Sequence, residues 1–343
     1  MMHRQRLLQT AFAVMAMALA LITTPQAVAA GLKFGLFGDV YMSGEHEGYL
    51  KGMLDDMARK KNALAIFTGG LKPTEQSCQD NHLLAALPVL ANAPLPTIYV
   101  PGDAEWVLCA KFLPEDRLNL LRKNYYANDL SLGMPGLVLI RQPAYPELMR
   151  WQHDSALFVS LNVTGDNNHW GNKAESSLEF QQRNRANLDW LREAFEAART
   201  SSNHVLVIIM HGDPEFDNPG ISESPKGYRP LLDLLKSETE AFPGQVLLVH
   251  GGNGVHRIDH PLLDDNGLPL QNFTRVGTYG ALQQGWVEVR VEKNSKADND
   301  PVNRTEFRFE SFPWPPLSHD DPSDPTDAET ATGALAPVTS PIQ

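Results

Sequence analysis

Lys33-Phe34-Gly35-Leu36-Phe37-Gly38-Asp39-Val40-Tyr41 is a short, mostly apolar run that breaks at a glycine and ends in polar residues. Apolar on both faces, it predicts a strand covered on both sides, with Gly38-Asp39 turning the chain at its end. The same phrase recurs along the chain. Ala63–Phe67 is followed by Thr68-Gly69-Gly70-Leu71-Lys72, and Thr97–Val100 by Pro101-Gly102-Asp103-Ala104-Glu105-Trp106. Val205–Met210 runs into His211-Gly212-Asp213-Pro214, and Val246–Val249 into His250-Gly251-Gly252-Asn253-Gly254-Val255-His256. Ala156–Leu161 reads as a further strand, followed by Asp166-Asn167-Asn168-His169.

Between these runs the apolar period changes to that of helices. Tyr49, Leu50, Met53, Leu54 and Met57 share one helical face, as do Leu188, Leu191, Phe195 and Ala198. Strand–helix alternation predicts an α/β layered domain, in which sites form beyond the carboxyl ends of the strands. Trp286–Val291 and Thr305–Phe309 are expected to add strands to a second sheet.

The two ends differ from this body. Arg4 and Arg6, the apolar stretch Leu7 to Thr23 and Ala27-Val28-Ala29 make residues 1–30 a signal peptide, implying a periplasmic or secreted protein. An uncleaved anchor is the alternative; after cleavage the expectation is no membrane span in the mature chain. Pro313 to Gln343 holds seven Pro and few large apolar residues, the composition of a disordered tail. The folded domain is therefore expected over residues 31–312. The whole chain carries 29 Lys and Arg against 41 Asp and Glu, a net −12. Loss of the signal removes two Arg and no acid, leaving −14. Such an acidic chain lacks the basic face that a nucleic-acid partner needs. Cys78 and Cys109 are the only cysteines. Too few for a metal site by themselves, in an exported chain they are expected to form a disulfide.

The ordered loops resemble those of the calcineurin-like metallophosphoesterases, which read GDxH, GDxxxG or GDxK, GN[HD][DE], a lone His and GHxH. The similarity is greatest to a bacterial exported branch in which a Cys pair brackets the third strand. It implies a layered αββα sandwich and a centre where two divalent ions ~3.5–4 Å apart clamp a phosphoryl group and activate a bound water. Carboxylates and imidazoles would hold those ions, one carboxylate bridging them.

Carried across residue by residue, the resemblance gives an incomplete donor set. Asp39 and Asp103 match acidic positions and His211 the lone His, which would also assist catalysis. Tyr41 stands where the motif has His, Gly70 where it has the bridging Asp, and Ala104 where it has a further ligand. Gly252 and Gly254 occupy the last loop's ligand positions, leaving His250 and His256 as substitutes. Lys72 and Asn168 are the candidates to bind substrate phosphate; a surface Lys and an Asx-rich turn are their structural alternatives. The expectation is a degenerate dinuclear centre, its divalent metal ions weakened or lost, that binds a phosphorylated small-molecule ligand. Two rivals stand beside it: an active phosphoesterase using one ion or a rearranged pair, and a non-catalytic interaction protein of the cell envelope.

Overall fold

The computed structural model describes residues 31–42, 46, 48–171, 175–201, 203–216, 226–252, 254–293 and 305–315, all within the compact unit Gly31–Gln343. The expected signal peptide and the tail beyond Pro315 lie outside the described residues. The chain runs β1 (Leu32–Phe37), α1 (Tyr49–Arg59), β2 (Leu64–Phe67), α2 (Asp80–Leu83), α3 (Leu87–Ala91), β3 (Thr97–Tyr99), α4 (Asp103–Trp106) and α5 (Pro114–Tyr125). Then come β4 (Ile140–Gln142), β5 (Tyr145–His153), β6 (Ala156–Ser160), α6 (Gly165–His169), α7 (Leu178–Thr200), β7 (Val205–Ile209) and α8 (Arg229–Ala241). The last elements are β8 (Gln245–His250), β9 (Arg257–Asp259), β10 (Phe273–Gly277), β11 (Gly285–Lys293) and β12 (Thr305–Pro313).

These strands form two sheets, ordered β12-β11-β1-β2-β3 and β4-β5-β6-β7-β8-β10-β9. Within them β1-β2-β3 and β6-β7-β8-β10 are parallel, so each set ends at one edge of its sheet. The layering follows from strand alternation. On β7, Val205, Val207 and Ile209 enter the core shared with the first sheet, where Phe158 of β6 meets Phe34 of β1 edge-on at 5.3 Å. The alternate residues Leu206, Ile208 and Met210 pack instead with Leu191, Phe195 and Leu235 of α7 and α8. The other face of β1 is covered by α1, whose buried residues Leu50, Met53, Leu54 and Met57 lie one helical turn apart. Met57 comes so close that a Cβ on Gly35 would meet its sulfur at 2.5 Å. The α/β architecture, two stacked sheets flanked by helices, is therefore as expected.

One expectation is corrected. β11 and β12 extend the first sheet, β11 pairing antiparallel with β1 from Leu32↔Val291 to Leu36↔Val287. Alternation told which face of β11 is buried but carried nothing about its neighbour. β12 ends at Pro313, and the Trp314 ring lies against Gly52. Cys78 and Cys109 form a disulfide with Cα atoms 5.6 Å apart, tying the segment after β2 to the segment after α4. No helix among the described residues is long and apolar enough to cross a membrane.

Candidate functional site

The loops after β1, β2, β3 and β7 meet where the two sheets present their carboxyl ends. Asp39 follows β1 with φ 52°, and its N–H donates to Gly69 O at 2.8 Å. His211 follows β7, in the opposite sheet, and is buried across the gap. Its Nδ1 hydrogen-bonds Thr68 O at 2.7 Å, and its Nε2 meets Asp103 Oδ1 at 3.2 Å. One imidazole thus ties β7 to the loops after β2 and β3.

The charges around this ring are mutually dependent. Burial disfavours the His211 cation, but the hydrogen bond and charge of Asp103, with the charges of Asp39 and Glu105, outweigh it and raise the pKa to about 10. Both ring nitrogens therefore donate at neutral pH. Burial also opposes ionisation of Asp103, yet its bond to His211 and the backbone N–H of Ala104 hold its carboxyl below the usual range. Asp39 is pushed up to about 6, chiefly by burial, with His211 opposing the rise and Asp103 adding to it. Glu105, fully buried, is raised by burial as well. Its Oε1 accepts from Leu71 N in a short bond, while Oε2 makes no hydrogen bond.

Gly70 decides what this group of residues can hold. Its φ of 81° is unfavourable for an L side chain, and a Cβ would overlap Asp39 Oδ1 and lie 2.7 Å from Asp39 Cα. The space into which a carboxylate at 70 would extend is therefore already occupied by Asp39. Among the described residues no group of three or more His, Cys, Asp or Glu is arranged to hold a metal ion. Two carboxylates and one imidazole, the imidazole facing an acid and a carbonyl, do not fit a pair of divalent ions that needs a bridging ligand.

The other expected residues are placed elsewhere. Lys72 is only 1% exposed, so it is not a surface Lys; its ammonium donates to Pro73 O at 3.1 Å and Gln76 O at 2.8 Å within its own loop. His250 is buried on Gly251 O (2.9 Å) and neighbours Asp213 and Arg275, with its pKa lowered by burial first. His256 is bonded at both nitrogens, to Gly277 O (2.9 Å) and Ser311 Oγ (3.0 Å), and stacks on Tyr279. Neither is brought into the Asp39–Asp103–His211 group, because each imidazole is engaged where β8 and β10 end. Tyr41 packs against His46 and is pushed up to about 12, first by burial and then by the charge of Asp39.

Asn168 lies in a turn of unusual conformation. Asp166, Asn167, Asn168 and His169 all have φ between 48° and 55°, one turn of left-handed backbone. Arg183, fully buried on α7, holds it in place. Its guanidinium donates to Asn168 Oδ1 (2.6 Å), Asn168 O (2.9 Å) and Asn162 O (2.8 Å), and pairs with Glu179. The turn also abuts the site: a Cβ on Gly165 would overlap Asp103 Oδ2. Asn168 thus shapes the wall behind Asp103, with its Nδ2 bonded to Gly227 O at 3.1 Å.

Nothing in the sequence singles out Glu105 or Arg183. Burial of a Glu or Arg within an otherwise amphipathic pattern leaves no local signal, since both depend on tertiary partners.

No family model matches the chain, and no curated protein matches it. Solved structures do. A dimetal phosphatase from Danio rerio aligns over 76% of this chain and 93% of its own, at 13% identity and TM-score 0.49. A purple acid phosphatase from yellow lupin (Lupinus luteus) seeds aligns over 83% of this chain at 10% identity and TM-score 0.49; the match spans 52% of that protein. Vacuolar Protein Sorting 29 from Cryptosporidium parvum aligns over 83% of this chain and 99% of its own, at 10% identity and TM-score 0.30.

Proposed function

We propose that this chain is an exported, metallophosphoesterase-like protein whose catalytic centre has been replaced by an internal ion pair, so that it acts without two-metal hydrolysis. The observation that carries the reading is at Gly70: the side chain that would bridge two ions is missing, and Asp39 takes up its room. The direct contact of His211 Nε2 with Asp103 supports it, since two former ligands here serve one another. Export is supported by the Cys78–Cys109 disulfide, a bond that persists in oxidising compartments, and by the signal-like residues 1–30.

A second reading, a phosphorylated small-molecule ligand at the same loops, is favoured by one feature. Gly254, in the loop after β8, leaves open space where a side chain would project. Calorimetric titration of the full chain with inorganic phosphate and with p-nitrophenyl phosphate, run beside an assay for nitrophenol release, tests both. The first reading expects no turnover. Saturable heat that disappears in His211→Gln supports the ligand reading, and absence of heat removes it. Metal-dependent release of nitrophenol removes the first.

A further inference from the structure

Outside the Asp39–Asp103–His211 group, a serine and a histidine from opposite sheets meet at the surface. His256 lies in the loop between β8 and β9 of the second sheet, and Ser311 is exposed on β12, the edge strand of the first. His256 Nε2 and Ser311 Oγ are 3.0 Å apart, and His256 Nδ1 is 2.9 Å from Gly277 O at the end of β10. A carbonyl oxygen can only accept, so Nδ1 carries the proton, and Nε2 of the neutral ring accepts from the Ser311 hydroxyl. Tyr279, itself 4% exposed, stacks on the imidazole at 4.3 Å and 21° and holds the plane of the ring. The backbone of Ser311 adds a third group. Trp314 N–H donates to Gln284 O at 2.9 Å, one step beyond the paired Pro313↔Gly285. Antiparallel pairs bond alternately, so Phe312 and Glu310 turn their N–H groups toward β11, and Ser311 turns its own to the free side of the edge strand.

We propose that Ser311 and His256 are a nucleophile and its base, and that they hydrolyse small activated esters through an acyl-serine. The nucleophile–base and base–orienter hydrogen bonds are both in place. Ser311 Oγ attacks the ester carbonyl carbon as its proton passes to His256 Nε2; the bond to the alcohol oxygen breaks, and the alcohol leaves with that proton. Water then attacks the acyl-serine and gives one proton to Nε2. Ser311 Oγ takes that proton back as the carboxylic acid is released. In both halves negative charge develops on the carbonyl oxygen, and the free N–H of Ser311 is a donor beside the reacting centre. Two features set the substrate class. Gly277 O carries no net charge to stabilise an imidazolium, so the leaving group must need little help from a proton, as a phenolate does. Ser311 stands on an exposed strand edge, so a long acyl chain finds little to bury it and a short one suffices. The reaction uses neither a metal nor Asp39, Asp103 and His211, and it is independent of the reading given above for those residues.

Hydrolysis of p-nitrophenyl acetate by the full chain, with and without chelator, is the test, read beside peptide mass mapping of acid-quenched protein. Nitrophenol release above the buffer rate is expected, unchanged by chelator, with an acetyl group on Ser311. Ser311→Ala, at an exposed position, is expected to slow release at least about tenfold, and His256→Gln to slow acetylation of Ser311 by a similar factor. Thermal unfolding of both variants is measured alongside; if His256→Gln does not fold, Ser311→Ala and the acetyl map decide. Acetyl groups on lysines or histidines alone, a rate that Ser311→Ala leaves unchanged, or release that chelator abolishes overturns the proposal. A p-nitrophenyl octanoate rate more than about tenfold above that of the acetate overturns the short-chain assignment.

Discussion

Removing the Cys78–Cys109 bridge should cost this protein a measurable and calculable part of its stability. The two residues are 31 apart in sequence, and both are buried, at 3% and 4% exposure. In the chain-entropy account a cross-link removes about 2.1 + 1.5R ln n cal/mol/K from the unfolded ensemble, which for this loop gives about 3.7 kcal/mol at room temperature. A loss of that size lowers the thermal midpoint by roughly 6 °C in a domain of this length. The assay is urea unfolding of the wild type, Cys78→Ala, Cys109→Ala and the double variant, with slopes compared to confirm a common transition. Because one bond is lost in every case, the singles and the double should fall by nearly the same amount. A double variant that loses twice as much as either single would show that packing of each side chain, rather than closure of the loop, carries the effect. A loss under about 1 kcal/mol would refute the loop-closure reasoning outright.

Arg183→Met should destabilise by about 3 kcal/mol, because it leaves Glu179 and the Asn168 carbonyl without their buried partner; thermal unfolding checks it, and near-wild-type stability would show that the left-handed turn holds itself. The His211 pKa is raised from 6.5 to about 10, so its contribution is complete below the lower value and is lost as pH rises through the upper one. Stability should therefore fall between pH 7 and 10, and the slope should flatten in His211→Gln; an unchanged slope contradicts the assignment. Gly70→Asp should cost about 2 kcal/mol, from the positive φ and the overlap with Asp39, and should not by itself recruit metal. Denaturant titration and elemental analysis of that variant measure the two halves of the statement.

How much of this was legible in the sequence follows from what each element needs. Val205–Ile209 and Leu64–Phe67 are buried along their whole length, and a strand with nothing polar in it announces itself. β5 and β10 do not. Tyr145–His153 contains a Glu147 that is fully buried because Arg122 grips it at 2.6 and 2.8 Å. Phe273–Gly277 buries Arg275 against Asp259. In each strand a charge breaks the apolar pattern, and the partner that makes it acceptable lies on another element. The same holds at the site. Asp39, Asp103 and His211 stand at strand ends and could be found by position, but their contacts could not. Whether His250 and His256 turn toward them depends on the carbonyls of Gly251 and Gly277, which no spacing rule encodes.

Asp103 and His211 bind one another, within the electrostatic reach of Asp39, rather than holding a metal pair. Elemental analysis of the full chain, purified without chelator and equilibrated with manganese and zinc, tests it most directly when run beside hydrolysis of bis(p-nitrophenyl) phosphate. The expected result is well below one tightly held ion per chain and no hydrolysis above the uncatalysed rate. Two ions per chain, with turnover that disappears in Asp39→Ala, would contradict it.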